Sequence, residues 1–293
     1  VTEVVKILIF GASGMIGHKL YQVAEECGFE VFACIRQPLD AFARFNVFDR
    51  ERTYDNVDIR VDSDIQRVLV KTRPDVVVNC AGLVKPRSND EAETILVNSL
   101  FPHRLAQTCA LSRARMIQIS TDCVFSGSRG QYSESSIPDP VDLYGRTKLL
   151  GEVTYGSNLT VRTSMMGREL GARRNLIEWF LGQTGEVRGF TGAIFSGLTT
   201  RALSRIILKL ASNDASGLIH VGADAISKYD LLRLVKRSFG LENISVVPSA
   251  DEKIDRSLAC PRLGEMGITA PSMQEMVDEM AREDAFYRRA SQH

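Results

Sequence analysis

Short apolar runs alternate with amphipathic stretches from the first residues of the chain. Residues 5–10 are rich in β-branched and large apolar side chains and stop at Gly11, which predicts a buried strand. From about Gly14 to Cys27 the apolar positions fall at helical spacing. Residues 30–35 predict a second strand, 58–61 a third followed by a short helix over 64–71, and 75–79, after Pro74, a fourth. A long helix is expected over 91–113, a fifth strand over 115–120, a helix over 143–154 and a sixth strand over 159–162. Strands that are apolar throughout, set between amphipathic helices, predict an α/β fold with a doubly wound parallel sheet covered on both faces. The second half is less regular. Helices are expected over 175–183, 199–212 and 228–239 and a strand over 218–221, while Gly, Ser and Pro punctuate 240–272. The pattern predicts a larger domain over 1–165 and a smaller C-terminal lobe over 166–293, with some segments of the second returning to the first.

Composition narrows the class. The 293 residues are 44% hydrophobic and 25% charged, as in ordinary globular proteins. Lys and Arg number 36, as do Asp and Glu. A neutral chain gives no electrostatic reason to expect nucleic acid or an anionic membrane as partner. The six cysteines form no Cys-x-x-Cys pair and no Cys/His spacing, so they read as reduced structural thiols and no metal is expected. The first residues lack a basic region followed by an apolar core, and no apolar run approaches the roughly 20 residues that span a bilayer. A soluble, cytoplasmic chain is expected, and a homodimer is compatible with it.

The first predicted strand runs into Gly11-Ala12-Ser13-Gly14-Met15-Ile16-Gly17, a G-x-x-G-x-x-G loop between strand and helix. Gly11 permits the tight turn, Gly14 lets the backbone approach a pyrophosphate, and Gly17 lets the helix pack close to the sheet. The helix N-terminus offers free N–H groups to phosphate. Gly11, Ser13, Gly14, Met15, Ile16 and Gly17 are therefore read as a cradle for NADP or NAD. The sheet is read as Rossmann-type, residues 1–165 as the NAD(P)-binding domain and 166–293 as mainly substrate-binding. A glycine turn without ligand is the alternative, and its place after a buried N-terminal strand weighs against it. Where an acidic residue would bind the ribose of NAD, the chain has Arg36, suited to the extra phosphate of NADP. NADP is preferred on that ground, against the alternative of an exposed loop arginine. Asp62 is a candidate partner for the adenine amino group or a cap of its own helix. Cys80, Ala81 and Gly82 follow the fourth strand and leave room for the cofactor.

Ser120-Thr121-Asp122 closes the fifth strand, and Tyr144 and Lys148 stand one helical turn apart further on. Carbonyl reduction needs a proton donor, and a tyrosine hydroxyl supplies one once its pKa, near 10, is lowered by a nearby ammonium. Tyr144 is read as the acid, Lys148 as the ammonium that tunes it and holds the nicotinamide ribose, and Thr121 as the donor that polarises the carbonyl. A lone Tyr-x-x-x-Lys is usually a surface pair. Its place downstream of both a glycine loop and a Ser-Thr at a strand end gives it meaning.

GASGMIG, STDCVF, DLYGRTKLLGE and VRTS together resemble the extended short-chain dehydrogenases, and within them the dTDP-4-dehydrorhamnose reductases and related nucleotide-sugar reductases. The resemblance covers about residues 5–240. It implies a catalytic group of Thr121, Tyr144 and Lys148, a nucleotide-sugar substrate, and a smaller lobe that binds it. It implies that Asn98 lies near the cofactor, and that Arg162-Thr163-Ser164 leads to the substrate pocket. The rhamnose-pathway enzymes read Ser-Thr-Asp-Tyr where this chain has Cys123, and carry an aromatic where it has Met165. Both departures imply a different sugar, one with an N-acetyl group or another base. Asp122, Cys123 and Met165 are expected beside the sugar, as are Phe195 and Thr199 in the segment 190–200, for which an ordinary loop before a helix is the alternative; Arg201 is expected to meet the diphosphate or only to cap its own helix. The expected reaction is NADPH-dependent reduction of a keto group on a nucleotide-linked deoxysugar. Three rivals remain. An epimerase would retain NAD. A 4,6-dehydratase would need a second acid where Cys123 stands. Regulatory subunits of methionine adenosyltransferase resemble these reductases and bind NADP without reduction.

Overall fold

The computed structural model describes residues 4–84, 90–171 and 175–290, the side chains of 289 and 290 excepted. Strand β1 (Lys6–Phe10) leads through the glycine loop into helix α1 (Met15–Glu26) and then β2 (Glu30–Cys34). A 3-10 turn over Leu39–Phe45 precedes β3 (Thr53–Tyr54), which is followed by α2 (Asp62–Thr72) and β4 (Val76–Asn79). The next helical rod is α3 (Glu91–Ile95), a π turn over Leu96–Leu100, and α4 (Phe101–Leu111). Strand β5 (Arg115–Ile119), helix α5 (Leu143–Leu150) and strand β6 (Leu159–Thr163) follow. The second half holds β7 (Met165–Met166), α6 (Leu176–Leu181), β8 (Gly185–Phe195), β9 (Leu198–Thr199) and α7 (Thr200–Ala211). It continues with β10 (Gly217–Val221), β11 (Ile226–Ser227), α8 (Lys228–Phe239) and β12 (Ile244–Asp255). Helices α9 (Pro261–Glu265), α10 (Met273–Arg282) and α11 (Asp284–Ala290) close the chain.

Seven strands form one parallel sheet in the order β10-β6-β5-β4-β1-β2-β3. The strands are buried on both faces because helices cover both. Ile7, Ile9, Val31, Val78 and Ile117 pack with Leu20 of α1 and Leu203 and Ile207 of α7. Leu8, Phe10, Val77 and Met116, pointing the other way, pack with Ile65 and Leu69 of α2 and Phe101 and Leu105 of α4. Each fully buried aliphatic side chain contributes roughly 1.5–3 kcal/mol, so this double layer is the main source of stability. The order reverses between β1 and β4, and a crevice opens beyond their C-terminal ends, where such sheets bind ligands.

The α/β fold with its doubly wound parallel sheet is as the sequence predicts. One strand is not. Residues 58–61 form a turn, and the third strand is β3, whose Thr53 and Tyr54 pair with Ala33 and Cys34. A second sheet, β11-β8-β12, is invisible to hydrophobic periodicity. Strand β12 is at its edge, where Pro248 is tolerated because no ladder bond is required of it there. In β8, a Cβ at Gly189 would lie 2.8 Å from Tyr229 Cα and one at Gly192 2.6 Å from the Glu252 carbonyl oxygen. The glycines that make this strand read as a loop are what allow it to be covered so closely.

Candidate active site

The glycine loop is shaped by contacts that only hydrogen permits. Gly11 has φ +73°, and a Cβ on it would sit 2.6 Å from the Ala81 nitrogen. A Cβ on Gly17 would sit 2.2 Å from the Gly11 carbonyl oxygen, so α1 packs directly on the turn. The loop is stitched to its neighbours by the Ala12 N–H donating to the Cys34 carbonyl at 3.1 Å and the Cys80 N–H to the Phe10 carbonyl at 2.9 Å. The crevice above it has a volume of about 670 Å³. Gly11, Ser13, Gly14, Met15 and Ile16 line its floor, with Cys80, Ala81 and Gly82 on the β4 side. A cradle that a Cβ would fill, opening onto the N-terminus of α1, fits the diphosphate of a dinucleotide.

At the far end of β2, Arg36 and Arg60 line the crevice with Asp58 and Ile59. Arg36 is largely exposed and pairs loosely with Glu93 at 3.8 Å, whereas Arg60 is bound to Asp58. Asp62 does not line the crevice. It opens α2, and its carboxylate pairs with Arg104. The acid that lines the crevice beside Arg60 is Asp58, held below the usual carboxylate range chiefly by its bonds to the Arg60 side chain. The reading of 58–61 as a strand hid Asp58, because it placed the crevice rim one turn too late.

The opposite end is built by β5 and α5. Asp142 caps α5 by accepting the Gly145 N–H at 2.8 Å. A Cβ on Gly145 would lie 2.2 Å from the Cys123 carbonyl oxygen, so the helix sits hard against the strand end. Tyr144 and Lys148 line the crevice together with Ile119 and Ser120, and Tyr144 shares a hydrogen bond with the Thr121 side chain. Lys148 is 5% exposed, and its ammonium donates to the Ile119 carbonyl at 2.7 Å. Burial lowers its pKa to about 8, opposed by the charge of Glu152. The structure differs here from the expectation that Lys148 lowers the phenol. Burial pushes the Tyr144 hydroxyl upward, Cys123 and Asp122 add to this, and the Thr121 bond only partly opposes it.

Beside Thr121, the Asp122 carboxyl is raised by burial and tempered by Arg256. Cys123 Sγ lies 3.6 Å from Arg256 Nη1, and burial pushes its thiol up to about 11. Met165 lines the crevice with Glu169, Leu170 and Asn175. Asn98 lies behind the wall in the π turn. Its amide exchanges bonds with the Leu83 backbone at 2.8 and 3.0 Å and donates to Thr147 at 3.2 Å, so it fixes the loop against α5. Three expected substrate contacts lie elsewhere. Phe195 ends β8 and is packed in the core, Thr199 caps α7, and Arg201 is engaged by Glu26, Glu279 and Glu283. A guanidinium ringed by three carboxylates is not offered to a diphosphate. Sequence reasoning missed Glu152, whose carboxylate accepts from Ser120 at 2.7 Å and from two nitrogens of Arg162 at 2.7 Å. Its place one turn after Lys148 was the available signal.

Among the described residues no helix is long and apolar enough to cross a membrane, and no group of three or more His, Cys, Asp or Glu could hold a metal ion.

The family model of the RmlD substrate binding domain matches residues 5–283. The chain is 29% identical to a dTDP-4-keto-6-deoxy-D-glucose reductase of Streptomyces niveus, over 90% of this chain and 88% of that one. It is 24% identical to methionine adenosyltransferase 2 subunit beta of Xenopus laevis, over 90% of this chain and 83% of that one. Among solved structures, the dTDP-4-dehydrorhamnose reductase of Bacillus anthracis in complex with NADP superposes with a TM-score of 0.79 at 22% identity, covering 96% of this chain and all of that one.

Proposed function

The chain belongs to the RmlD substrate binding domain family, and from that premise we propose that it is an NAD(P)H-dependent oxidoreductase reducing a keto group on a nucleotide-activated deoxysugar. The observation that carries this reading is that Tyr144 and Lys148, the former bonded to the Thr121 side chain, line the same crevice as the glycine cradle. A reduced nicotinamide, when bound there, supplies hydride. The protein's part is to place a proton and stabilise charge. Tyr144 gives its proton to the carbonyl oxygen as negative charge builds on it. Thr121, whose hydroxyl meets the phenol and Asp122 in the free site, turns to donate to the same oxygen when substrate is bound. Lys148, fixed on the Ile119 carbonyl, holds a positive charge beside the site and binds the nicotinamide ribose. On this reading Met165, which lines the crevice, and Asp122 and Cys123, which follow Thr121 and meet Arg256, select the sugar.

The test is stoichiometric oxidation of NADPH with a panel of dTDP-, UDP- and GDP-linked keto sugars. One nucleotide sugar is expected to be reduced with one NADPH consumed. Interconversion of sugars without net NADPH loss would favour an epimerase. Tight NADP binding with no turnover on any of them would favour the regulatory role of the methionine adenosyltransferase beta subunits, which the chain also resembles.

The cofactor preference follows from Arg36. Arg36→Ala is expected to weaken NADPH by about ten-fold, the loss of one charge-assisted phosphate contact, and NADH by less than two-fold. Equal losses, measured by fluorescence titration, would remove the basis for preferring NADP.

A further inference from the structure

Residues 250–293 carry no sequence motif that points to chemistry, yet α11 brings a buried polar group to the back of the glycine loop. Tyr287 is 2% exposed, and His18 of α1 is fully buried. The Tyr287 hydroxyl lies 2.8 Å from His18 Nε2, and His18 Nδ1 lies 2.8 Å from the Gly14 carbonyl oxygen. A carbonyl only accepts, so Nδ1 carries the ring proton. Burial keeps the imidazole neutral, its pKa lowered to about 3. Nε2 is then an acceptor, and the Tyr287 hydroxyl must donate to it. Chemistry thus fixes both bonds in one direction, from α11 through His18 to Gly14.

Gly14 is the N-cap of α1 and the middle glycine of the cradle. The peptide unit that ends in its carbonyl carries the Met15 N–H on the opposite side, and that unit is planar and trans. Holding the carbonyl from behind therefore sets the aim of the N–H in front. Helix geometry points that N–H out of the N-terminus, toward the crevice that Gly14 and Met15 line. The helix itself is tied down by charge. Lys19 pairs with Glu283 at 3.1 Å, and Arg168 pairs with Glu178 at 2.7 Å and with Asp284. Both cations also face the Tyr287 ring, Lys19 at 5.3 Å and Arg168 at 5.0 Å. Residues Glu169 and Leu170, which follow Arg168, line the same crevice.

We propose that His18 and Tyr287 are positioning residues for the cofactor diphosphate, and that the C-terminal helix sets the affinity of the glycine cradle through them. The inference rests on the reading of the crevice as a dinucleotide site. It predicts coupling in both directions, because a helix that strengthens cofactor binding must itself be held more firmly when cofactor is bound.

Equilibrium binding of NADPH, read by fluorescence on the whole chain, tests it with two variants. Tyr287→Phe keeps the ring and removes only the donor. It is expected to weaken NADPH about five-fold, the worth of one buried hydrogen bond. Ile65→Val, a small loss in the core beneath α2, serves as the control and is expected to lower the melting temperature without changing affinity. Hydrogen exchange over 284–290 is expected to slow when NADPH binds the unaltered chain, and to slow less in Tyr287→Phe. Unchanged affinity in Tyr287→Phe would overturn the proposal, and so would equal weakening in both variants, which would mark general loosening. If the unaltered chain bound no NADPH, the reading of the crevice would fall, and this proposal with it.

Discussion

Tyr144→Phe is expected to lower turnover by about 10² to 10⁴-fold, the usual worth of a positioned acid, while NADPH affinity stays within about two-fold. The ring still fills its place against the strand end, so the crevice keeps its shape. What disappears is the proton that must reach the carbonyl oxygen, and the bond that orients Thr121. The two effects act on the same oxygen and cannot be added. The measurements are the single-turnover rate with a keto-sugar nucleotide and the dissociation constant of NADPH. A variant with near-normal turnover would remove Tyr144 from the role of acid. One that also loses NADPH would assign the phenol to binding.

The second large effect is expected at Glu152. Its side chain is 7% exposed and that of Arg162 4%, and three donors converge on the carboxylate. Glu152→Gln leaves a buried guanidinium without its counter-charge, at a cost of about 3 kcal/mol of folding free energy. The consequence for catalysis is separate. Glu152 raises the pKa of Lys148, which burial has lowered to about 8. A step that needs the ammonium is complete below that value and fades as the pH rises through it. Removing the carboxylate lowers the pKa further, so the alkaline limb of kcat/KM moves to lower pH. Denaturant unfolding reads the first effect and a pH–rate profile the second. A stability loss with the limb unmoved would mean that Lys148 does not feel this charge.

Much of the fold was legible in the chain because the parallel sheet is covered on both faces. Its longer strands are therefore largely apolar and bracketed by amphipathic helices, as with Val76–Asn79 between α2 and α3. Strands that do not bury both faces left no such trace. β3 has only two residues, β12 carries Pro248 and a run of charges on a sheet edge, and β8 is spaced by glycines. The site divides along the same line. The glycine loop and the Tyr144–Lys148 pair were visible because their spacing is local. Asp58 was lost to a misplaced strand. Small and hydroxyl-bearing residues around Phe195 and Thr199 suggest sugar contact and the charge of Arg201 a diphosphate, yet the fold spends the three on core packing, a helix cap and an ion cluster. His18 and Tyr287 are far apart in sequence and meet only in three dimensions.

Strand β10 enters the chain after β8 and β9 but lies against β6, pairing Gly217–Val221 with Leu159–Thr163. The last rung of the cofactor-side sheet is thus supplied by sequence that comes after most of the sugar-side segments. Exchange of specificity between relatives is constrained by this. A graft that replaced everything after residue 165 would have to bring a matching β10, or leave the fully buried β6 as a raw edge inviting another chain. If Cys123 and Met165 select the sugar as proposed, new preferences are more cheaply reached by point changes around them than by swapping whole segments.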